Sequence, residues 1–180
     1  SEAGAVKIGI RDELSLRADL KNMKSDAYLI EEMVQNSIIE LLLAVTLDPV
    51  HGYVLTLGAG GTQTELLQDT ASLILPVDEA MVDSTLSKLR CAPLLDGYRG
   101  AQPIDRKSLW HAIVAVQNYV IAHHGQVQEI EINPLICTHT KAIAVDALID
   151  ATQCEASAMV SPHCLPSRWR WLNSPASLPP

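Results

Sequence analysis

The stretch VQEIEINPLICTHTKAIAVDALID, residues 127–150, decides the fold that we expect for this chain. Apolar and polar residues alternate along both halves, and a short polar segment separates them, which is typical of a β-hairpin. One side of the hairpin carries four oxygen-bearing side chains: Glu129, Glu131, Asn133 and Asp146. The function depends on whether water alone covers these oxygens or whether they hold a cation.

One pairing register keeps the apolar and polar residues of the hairpin apart. With the turn centred between His139 and Thr140, Asn133 lies opposite Asp146, and opposed residues project to the same side with Cβ atoms about 5 Å apart. A slip by one residue would break this separation. The four polar residues then share one face, and the other face is apolar. The predicted apolar face consists of Ile130, Ile132, Pro134, Ile136, Ile143, Val145, Ala147 and Ile149.

The polar face has the chemistry of a magnesium site. An amide oxygen beside a carboxylate, with a second carboxylate two residues away, is a ligand set that Mg²⁺ prefers, and Mg²⁺ usually completes it with waters and phosphate oxygens. A solvated polar face explains the same residues, so the spacing leaves both interpretations open. Pro134 favours the first, because proline removes a sheet donor and indicates an edge strand or a functionally shaped strand end.

The composition narrows the class of protein. The chain has 180 residues, 48% of them hydrophobic and none of them Phe, so we expect one aliphatic core. A net charge of -8 argues against nucleic acid as a partner. Four widely spaced cysteines indicate reduced thiols and a cytoplasmic protein. No apolar run reaches the roughly 20 residues of a membrane span, so we expect no membrane segment.

The remaining sequence predicts further strands and three helices. The strands are expected at residues 5–10, 27–34, 38–48 and 53–58, with another leading to Pro76. The helices are expected after the N-cap Asp12, over 78–90, and from Asp105 to Gly125 with Leu109, Ile113, Val116 and Val120 on one stripe. Runs of strands with helices in separate blocks indicate an α+β domain, an antiparallel sheet with helices on one face. We assign residues 1–150 to it and the Pro- and Ser-rich residues 151–180 to an irregular tail.

Several segments together resemble the ATP-grasp domain of NDP-forming acyl-CoA synthetases, relatives of the succinyl-CoA synthetase β subunit. They are EIEINPLI with AVDALI, EAGAVKIGI, LIEEMV, LTLGAGGTQTELLQD and LLDGYRGAQPID. The resemblance covers residues 2–150 and implies the C-terminal ATP-grasp subdomain. In such proteins two lobes hold a nucleotide, and magnesium ions bridge its phosphates.

The resemblance also implies roles at the metal and at a hinge, which would be the stretch EEMV, residues 31–34. Asn133 and Asp146 would be the magnesium ligands, and Glu131 would help the metal or the incoming phosphoryl group. At the hinge, three residues would lie near the adenine and one near the ribose. They are Glu31, Met33 and Val34 at the adenine, and Glu40 at the ribose. Met33 can also be an ordinary core residue, an alternative that the sequence leaves open.

Three glycines and two acids lie at and after the end of the predicted strand 53–58. Gly58, Gly60 and Gly61 permit close backbone approach and positive φ angles, so they either line a phosphate or form a flexible hairpin turn. Glu65 and Asp69 are either acids that support this site or ordinary surface charges.

Arg99 is the cation best suited to a phosphate. It lies in a glycine-flanked loop, and a guanidinium matches phosphate oxygens bidentately. The alternative is a surface salt bridge to Asp96 or Asp105.

The departures from the family indicate one part of a larger enzyme. The first lobe with its phosphate-binding lysines, the phosphohistidine and the CoA-binding domain have no match in the sequence, so we expect them on missing segments or another subunit. The expected activity is transfer of phosphate between ATP/ADP, or another NTP, and a histidine, coupled to acyl-CoA formation. We expect little turnover from this chain alone. The alternatives are a carboxylate–amine ligase of the same fold and a non-catalytic regulatory module.

Overall fold

The computed structural model describes residues 6–23, 25, 27–61 and 68–151. This part of the chain contains four α-helices, one 3₁₀ turn and six strands. In chain order they are α1 (Glu13–Asn22), β1 (Ile39–Asp48), β2 (Gly52–Ala59), β3 (Thr70–Ile74), α2 (Glu79–Leu86), α3 (Ala92–Leu95), the 3₁₀ turn (Tyr98–Gly100), α4 (Arg106–Ala122), β4 (Val127–Cys137), β5 (Ala142–Ala144) and β6 (Ala147–Ala151). The predicted tail lies outside the described residues, except for Ala151.

The six strands form one antiparallel sheet in the order β3–β2–β1–β4–β5, and β6 also pairs with β4. β1 and β2 form a hairpin because the carboxylate of Asp48 closes the turn. It accepts the N–H groups of Val50 and His51 at 2.8 and 2.7 Å. Gly52 then enters β2 with a φ of +76°, which glycine adopts without steric cost. The predicted strands 38–48 and 53–58 are confirmed to within a residue at this turn.

β4 pairs with β5 and β6 in the predicted register. Ile132 lies opposite Ala147, and the Asn133 N–H donates to the Asp146 carbonyl at 3.2 Å. Asn133 therefore faces Asp146, as the sequence predicts.

The predicted assignment of side chains to the two faces is wrong beyond Asn133, because β4 contains a bulge. The register between β1 and β4 shifts between Leu41 and Leu43, so β4 fits one extra residue at Asn133–Pro134, where the peptide bond is cis. An extra residue turns the side chains that follow it to the opposite face. The buried residues of β4 are Val127, Ile130, Ile132, Leu135 and Cys137, and not Pro134 or Ile136.

The outer side of the hairpin also differs from the prediction. β4 is a central strand, so the interpretation of Pro134 as an edge-strand residue is wrong, and the proline lies at the bulge instead. Val145 and Ile149, which we predict on the apolar face, are 39% and 52% exposed. Ala142 and Ala144 of β5 still pack against the core, so the exposure begins after β5.

Two predicted strands do not form in the described residues. Residues 6–10 and 27–34 have no strand pairing, and Leu29 and Ile30 are 76% and 69% exposed. An apolar run becomes a strand only where a neighbouring strand completes its hydrogen bonds and a core covers its side chains. The described part of the chain offers neither at these positions.

The helices begin where the sequence predicts. Asp12, Asp78 and Asp105 are the N-caps, and each carboxylate accepts a backbone N–H of the first turn. α2 ends at Leu86, earlier than predicted. None of the described helices is long and apolar enough to cross a membrane.

The core lies between one face of the sheet and the helices α2, α3 and α4. The predicted stripe of α4, from Leu109 to Val120, is buried in the same core as alternate residues of β1 and β2. The sheet contributes Leu41, Leu43, Leu55 and Leu57, and the helices contribute Leu86, Leu95, Leu109, Ile113, Val116 and Val120. The core is aliphatic, and the polar side chains of the hairpin lie on the opposite face.

Candidate functional site

Asn133 lies at the centre of the polar face, and both ends of its side-chain amide are engaged. The Oδ1 atom accepts the N–H of Gly61 at 2.9 Å, and Nδ2 donates to Oε1 of Glu131 at 3.2 Å. Rotating the amide by 180° would place two donors together at Gly61 and two acceptors together at Glu131. The oxygen therefore has a defined direction. It retains a second lone pair for another partner.

Asp146 lies opposite this amide, where the outer strand is interrupted. β5 ends at Ala144 and β6 begins at Ala147, so Asp146 is outside regular pairing and its side chain is exposed. Together with Glu131 and Asn133 it lines a cavity of about 170 Å³, whose wall also contains Ala147 and Leu148. The structure thus brings the three predicted metal-site residues together.

The ligand chemistry of this cavity fits Mg²⁺. Its polar groups are one amide and two carboxylates, and the described residues contain no group of three or more His, Cys, Asp or Glu side chains arranged to enclose a metal. A sparse oxygen set suits Mg²⁺, which takes one or two carboxylates and completes its shell with water and phosphate. Zinc sites are built mainly from His and Cys, and neither lines this cavity.

Gly58 and Gly60 are required by close approach of neighbouring strands. A Cβ atom at Gly58 would lie 2.5 Å from the Asp69 carbonyl oxygen, and one at Gly60 would lie 2.4 Å from the carbonyl carbon of Leu41. The Gly60 N–H donates to the Glu40 carbonyl at 2.8 Å. Both glycines are thus fixed against the sheet, and the flexible hairpin turn that the sequence allowed is not observed at either residue.

Gly61 continues this path over the end of β1. Its φ of +70° is in the left-handed region, and a Cβ atom there would collide with the carboxylate of Glu40. The Glu40 side chain therefore packs against Gly61, whose N–H in turn contacts Asn133. Sequence reasoning missed this contact, which joins residues 72 positions apart.

The predicted hinge lines a second cavity, of about 410 Å³. Met33 contributes to its wall and is 41% exposed, so the alternative of a core methionine is wrong. Glu31 and Val34 lie outside the wall, and Glu32 takes part instead. The opposite wall is the β4–β5 turn, residues 138–141, which sequence reasoning did not select.

Thr138 fixes the conformation of that turn. It is 3% exposed, and its hydroxyl accepts the N–H groups of Thr140 and Lys141 at 3.2 and 3.1 Å. The Thr138 carbonyl also accepts the N–H of Asp105, which ties the turn to the start of α4. A Thr followed by short polar residues is a turn signal that the sequence contained.

Arg99 lies on the exposed 3₁₀ turn with a φ of +52°, and its guanidinium lies 5.2 Å from the ring centre of Tyr98. The predicted alternative, a salt bridge to Asp96 or Asp105, is wrong. Asp96 instead pairs with Arg106 at 2.7 Å, and Asp105 caps α4. Among the described residues, no hydrogen bond or ion pair joins Arg99 to the cavity at Asn133.

Asp69 is a structural acid. It is 8% exposed, and its carboxylate accepts the N–H groups of Arg90 and Cys91, both at 2.8 Å. Burial acts to raise its pKa, but these hydrogen bonds outweigh burial and hold the pKa below the ordinary value. Because Asp69 is buried, the predicted alternative of an ordinary surface charge is wrong. Glu65 lies outside the described residues.

Proteins with similar sequences include ADP-forming acyl-CoA ligases. The chain is 29% identical over 157 residues to the β subunit of ADP-forming acetate–CoA ligase I from Pyrococcus furiosus, covering 82% of this chain and 67% of that subunit. It is 27% identical over 147 residues to the ADP-forming 4-hydroxybutyrate–CoA ligase of Nitrosopumilus maritimus, covering 76% of this chain. The chain spans about a fifth of that second relative's length, 21%.

A solved structure and a family pattern agree with this similarity. The fold matches dinucleotide-forming acetyl-coenzyme A synthetase 1 of Ca. Korarchaeum cryptofilum, solved with coenzyme A and Mg-AMPPCP, with a TM-score of 0.71 and 25% identity over 83% of this chain and 69% of that one. Residues 1–150 match the sequence pattern of the ATP-grasp domain. The chain belongs to the ATP-grasp domain family.

Proposed function

We propose that this chain is the lobe of an NDP-forming acyl-CoA synthetase-like enzyme that holds the nucleotide and its magnesium. The observation that carries the proposal is the cavity in which Asn133, Asp146 and Glu131 converge on the open face of the sheet. The names of the relatives support acyl-CoA formation over the carboxylate–amine ligase alternative.

The metal would be held by Oδ1 of Asn133 and the carboxylate of Asp146. Bound there, Mg²⁺ supplies charge that neutralises phosphate oxygens during transfer. Glu131, which accepts a hydrogen bond from Asn133, would orient the amide and assist the metal or the phosphoryl group. Catalysis of this kind rests on positioning and electrostatic stabilisation rather than on covalent chemistry by the lobe.

The base of the nucleotide, ATP/ADP or another NTP, would lie at the hinge cavity. Met33 offers a polarizable side chain for the ring face, and the hinge backbone of Met33 and Val34 offers donors and acceptors for the base edge, near Glu31. Lys141 and Glu32 on the cavity wall add a donor and an acceptor. Glu40, which contacts Gly61, lies on the metal side, so we now assign it to the support of that glycine rather than to the ribose.

Arg99 would stabilise the charge of the phosphoryl group being transferred. Its glycine-flanked turn and its freedom from ion pairs within the described residues support this role. In phosphoryl transfer, such an arginine contributes about 10³–10⁵ in rate. Gly58, Gly60 and Gly61 would place backbone close to the phosphates.

The whole enzyme would require further parts, which we propose from the relatives. They are an N-terminal ATP-grasp lobe with phosphate-binding lysines and a CoA-binding domain or subunit with the phosphohistidine. We place the enzyme in the cytoplasm.

The proposal is tested by calorimetric titration of the chain with ADP and with ATP, each with and without Mg²⁺. We expect binding that requires both nucleotide and metal. If the isolated chain binds weakly, the same titration is repeated on the chain joined to the N-terminal lobe of the Pyrococcus relative. Absence of Mg-dependent binding in both proteins contradicts the proposal and supports a non-catalytic module.

A further inference from the structure

The backbone N–H of Gly61 meets the side chain of Asn133 on the open face of the sheet. Gly61 follows β2, whereas Asn133 belongs to β4, and β1 lies between these two strands. The chain reaches Asn133 by passing over the end of β1, where Gly60 lies against the backbone of Leu41 and Leu42. A Cβ atom at Gly60 would collide with this backbone, and one at Gly61 would meet the Glu40 side chain at a φ of +70°.

We infer that Gly61 is a positioning residue for the metal site, whose N–H fixes the Asn133 amide so that its oxygen is presented to Mg²⁺. The inference rests on the proposed function for its metal and on the 2.9 Å contact for its geometry. One lone pair of Oδ1 is used by Gly61, so a cation must approach along the other.

The contact extends to Glu131 through the same amide. Because Nδ2 donates to Glu131, the direction of the amide also sets the position of that carboxylate at 3.2 Å. Gly61 thus orients two of the three polar side chains that line the metal cavity, although it does not line the cavity itself.

Glu40 holds Gly61 in place from the other side. Its carboxylate occupies the position that a side chain at residue 61 would need. Alanine at residue 61 would have to displace this carboxylate or move the backbone away from Asn133. The Glu40 side chain is exposed and can move aside, but a φ of +70° strains an alanine at residue 61. A backbone shift that relieves this strain turns the N–H away from Oδ1.

The first measurement needs no metal. Amide hydrogen exchange of Gly61 is compared in the wild-type chain and in Asn133→Ala, with the N–H of Gly60 as internal control because its acceptor is the Glu40 carbonyl. Exchange at Gly61 should become about fivefold faster or more, as expected for loss of one hydrogen bond, while Gly60 keeps its rate. Equal exchange at Gly61 in both proteins overturns the inference.

The second measurement compares Gly61→Ala with Gly52→Ala. Both glycines have positive φ, +70° and +76°, but nothing lies within 4 Å of a Cβ atom at Gly52. We expect Mg-ADP affinity to fall about tenfold or more in Gly61→Ala and to stay unchanged in Gly52→Ala. Equal affinity in two folded variants overturns the inference.

The outcomes separate the inference from the proposed function. Wild-type protein that does not bind Mg-ADP overturns the proposed function and with it the metal role of Gly61, whatever the exchange data show. Wild-type protein that binds Mg-ADP, with Gly61 exchange insensitive to Asn133→Ala, overturns the inference alone. If Gly61→Ala does not fold, the exchange measurement decides.

Discussion

Asn133 and Asp146 face each other at a point where both neighbouring strands depart from regular geometry. β4 bulges at Asn133–Pro134, and the outer strand is interrupted between Ala144 and Ala147. The backbone N–H of Asn133 donates to the carbonyl of Asp146 at 3.2 Å, which keeps the two residues together. Their side chains meet at a cavity, because the regular ladder that would bring other side chains over them is broken here.

Replacing Asp146 by Asn should weaken Mg-nucleotide binding about tenfold or more, since one charge-assisted contact to the metal is lost. The fold should persist because the Asp146 side chain is exposed. Calorimetric titration with Mg-ADP provides the measurement.

The matched control is Asp150→Asn. Asp150 is an exposed acid of the same outer edge, lies opposite Glu129, and does not line the metal cavity. A general effect of negative charge would weaken binding equally in both variants, and that result would remove Asp146 from the metal site.

The stability of the core should depend on the stripe of α4 that the sequence predicts. Ile113 is 1% exposed, and Ile113→Ala should lower the free energy of unfolding by about 2–5 kcal/mol through lost burial and the cavity left behind. Urea unfolding followed by circular dichroism measures this change.

Ile121 on the same helix is the control, with 53% exposure. Ile121→Ala should change stability by less than about 1 kcal/mol. Similar losses in both variants would contradict the packing of α4 against the sheet.

Features that depend on residues close together in the sequence were predicted correctly, and features that depend on residues far apart in the sequence were not. The register between β4 and its outer partner is set by a short turn and by alternation within 24 residues, both readable locally. The bulge at Asn133–Pro134 is defined by pairing with β1, about 90 positions earlier in the chain. Pro134 was a local signal, but a proline fits an edge strand as well as a bulge. The switch of buried face therefore could not be predicted from it.

The same reasoning explains the glycines and the hinge. Gly61 could be selected as a special residue, but its contact with Asn133 spans 72 positions. Residues 27–34 were predicted as a strand from an apolar run whose side chains remain exposed. Periodicity reports what a segment would bury if a partner were present, and it does not identify the partner.

Asp69 should make stability depend on acid pH. Its pKa in the folded protein lies below the ordinary value of 3.8, because hydrogen bonds from Arg90 and Cys91 outweigh the effect of burial. A depressed pKa adds stability that is present in full above the unfolded pKa and is lost as the pH falls through the folded pKa. The carboxylate therefore contributes at neutral pH and stops contributing in strong acid.

Asp69→Asn should thus cost about 1–3 kcal/mol at pH 7, because a buried N–H loses its partner or keeps a weaker one. The difference from wild type should shrink as the pH falls below 3.8. Unfolding by urea at a series of pH values measures it. A difference that stays constant down to the acid limit would show that the charge of Asp69 plays no part.

Thr138 should link the stability of the β4–β5 turn to nucleotide binding. Thr138→Val keeps the shape of the side chain but removes the acceptor of two N–H groups, those of Thr140 and Lys141. Because Thr138 is 3% exposed, we expect a loss of about 1–3 kcal/mol in the free energy of unfolding. The turn forms one wall of the hinge cavity, so affinity for Mg-ADP should fall as well. Thr46→Val is the control, because Thr46 is exposed and lines neither cavity, and it should change neither quantity appreciably. If Thr138→Val loses stability but binds Mg-ADP like wild type, the base of the nucleotide does not use this wall, and the hinge cavity is not its site.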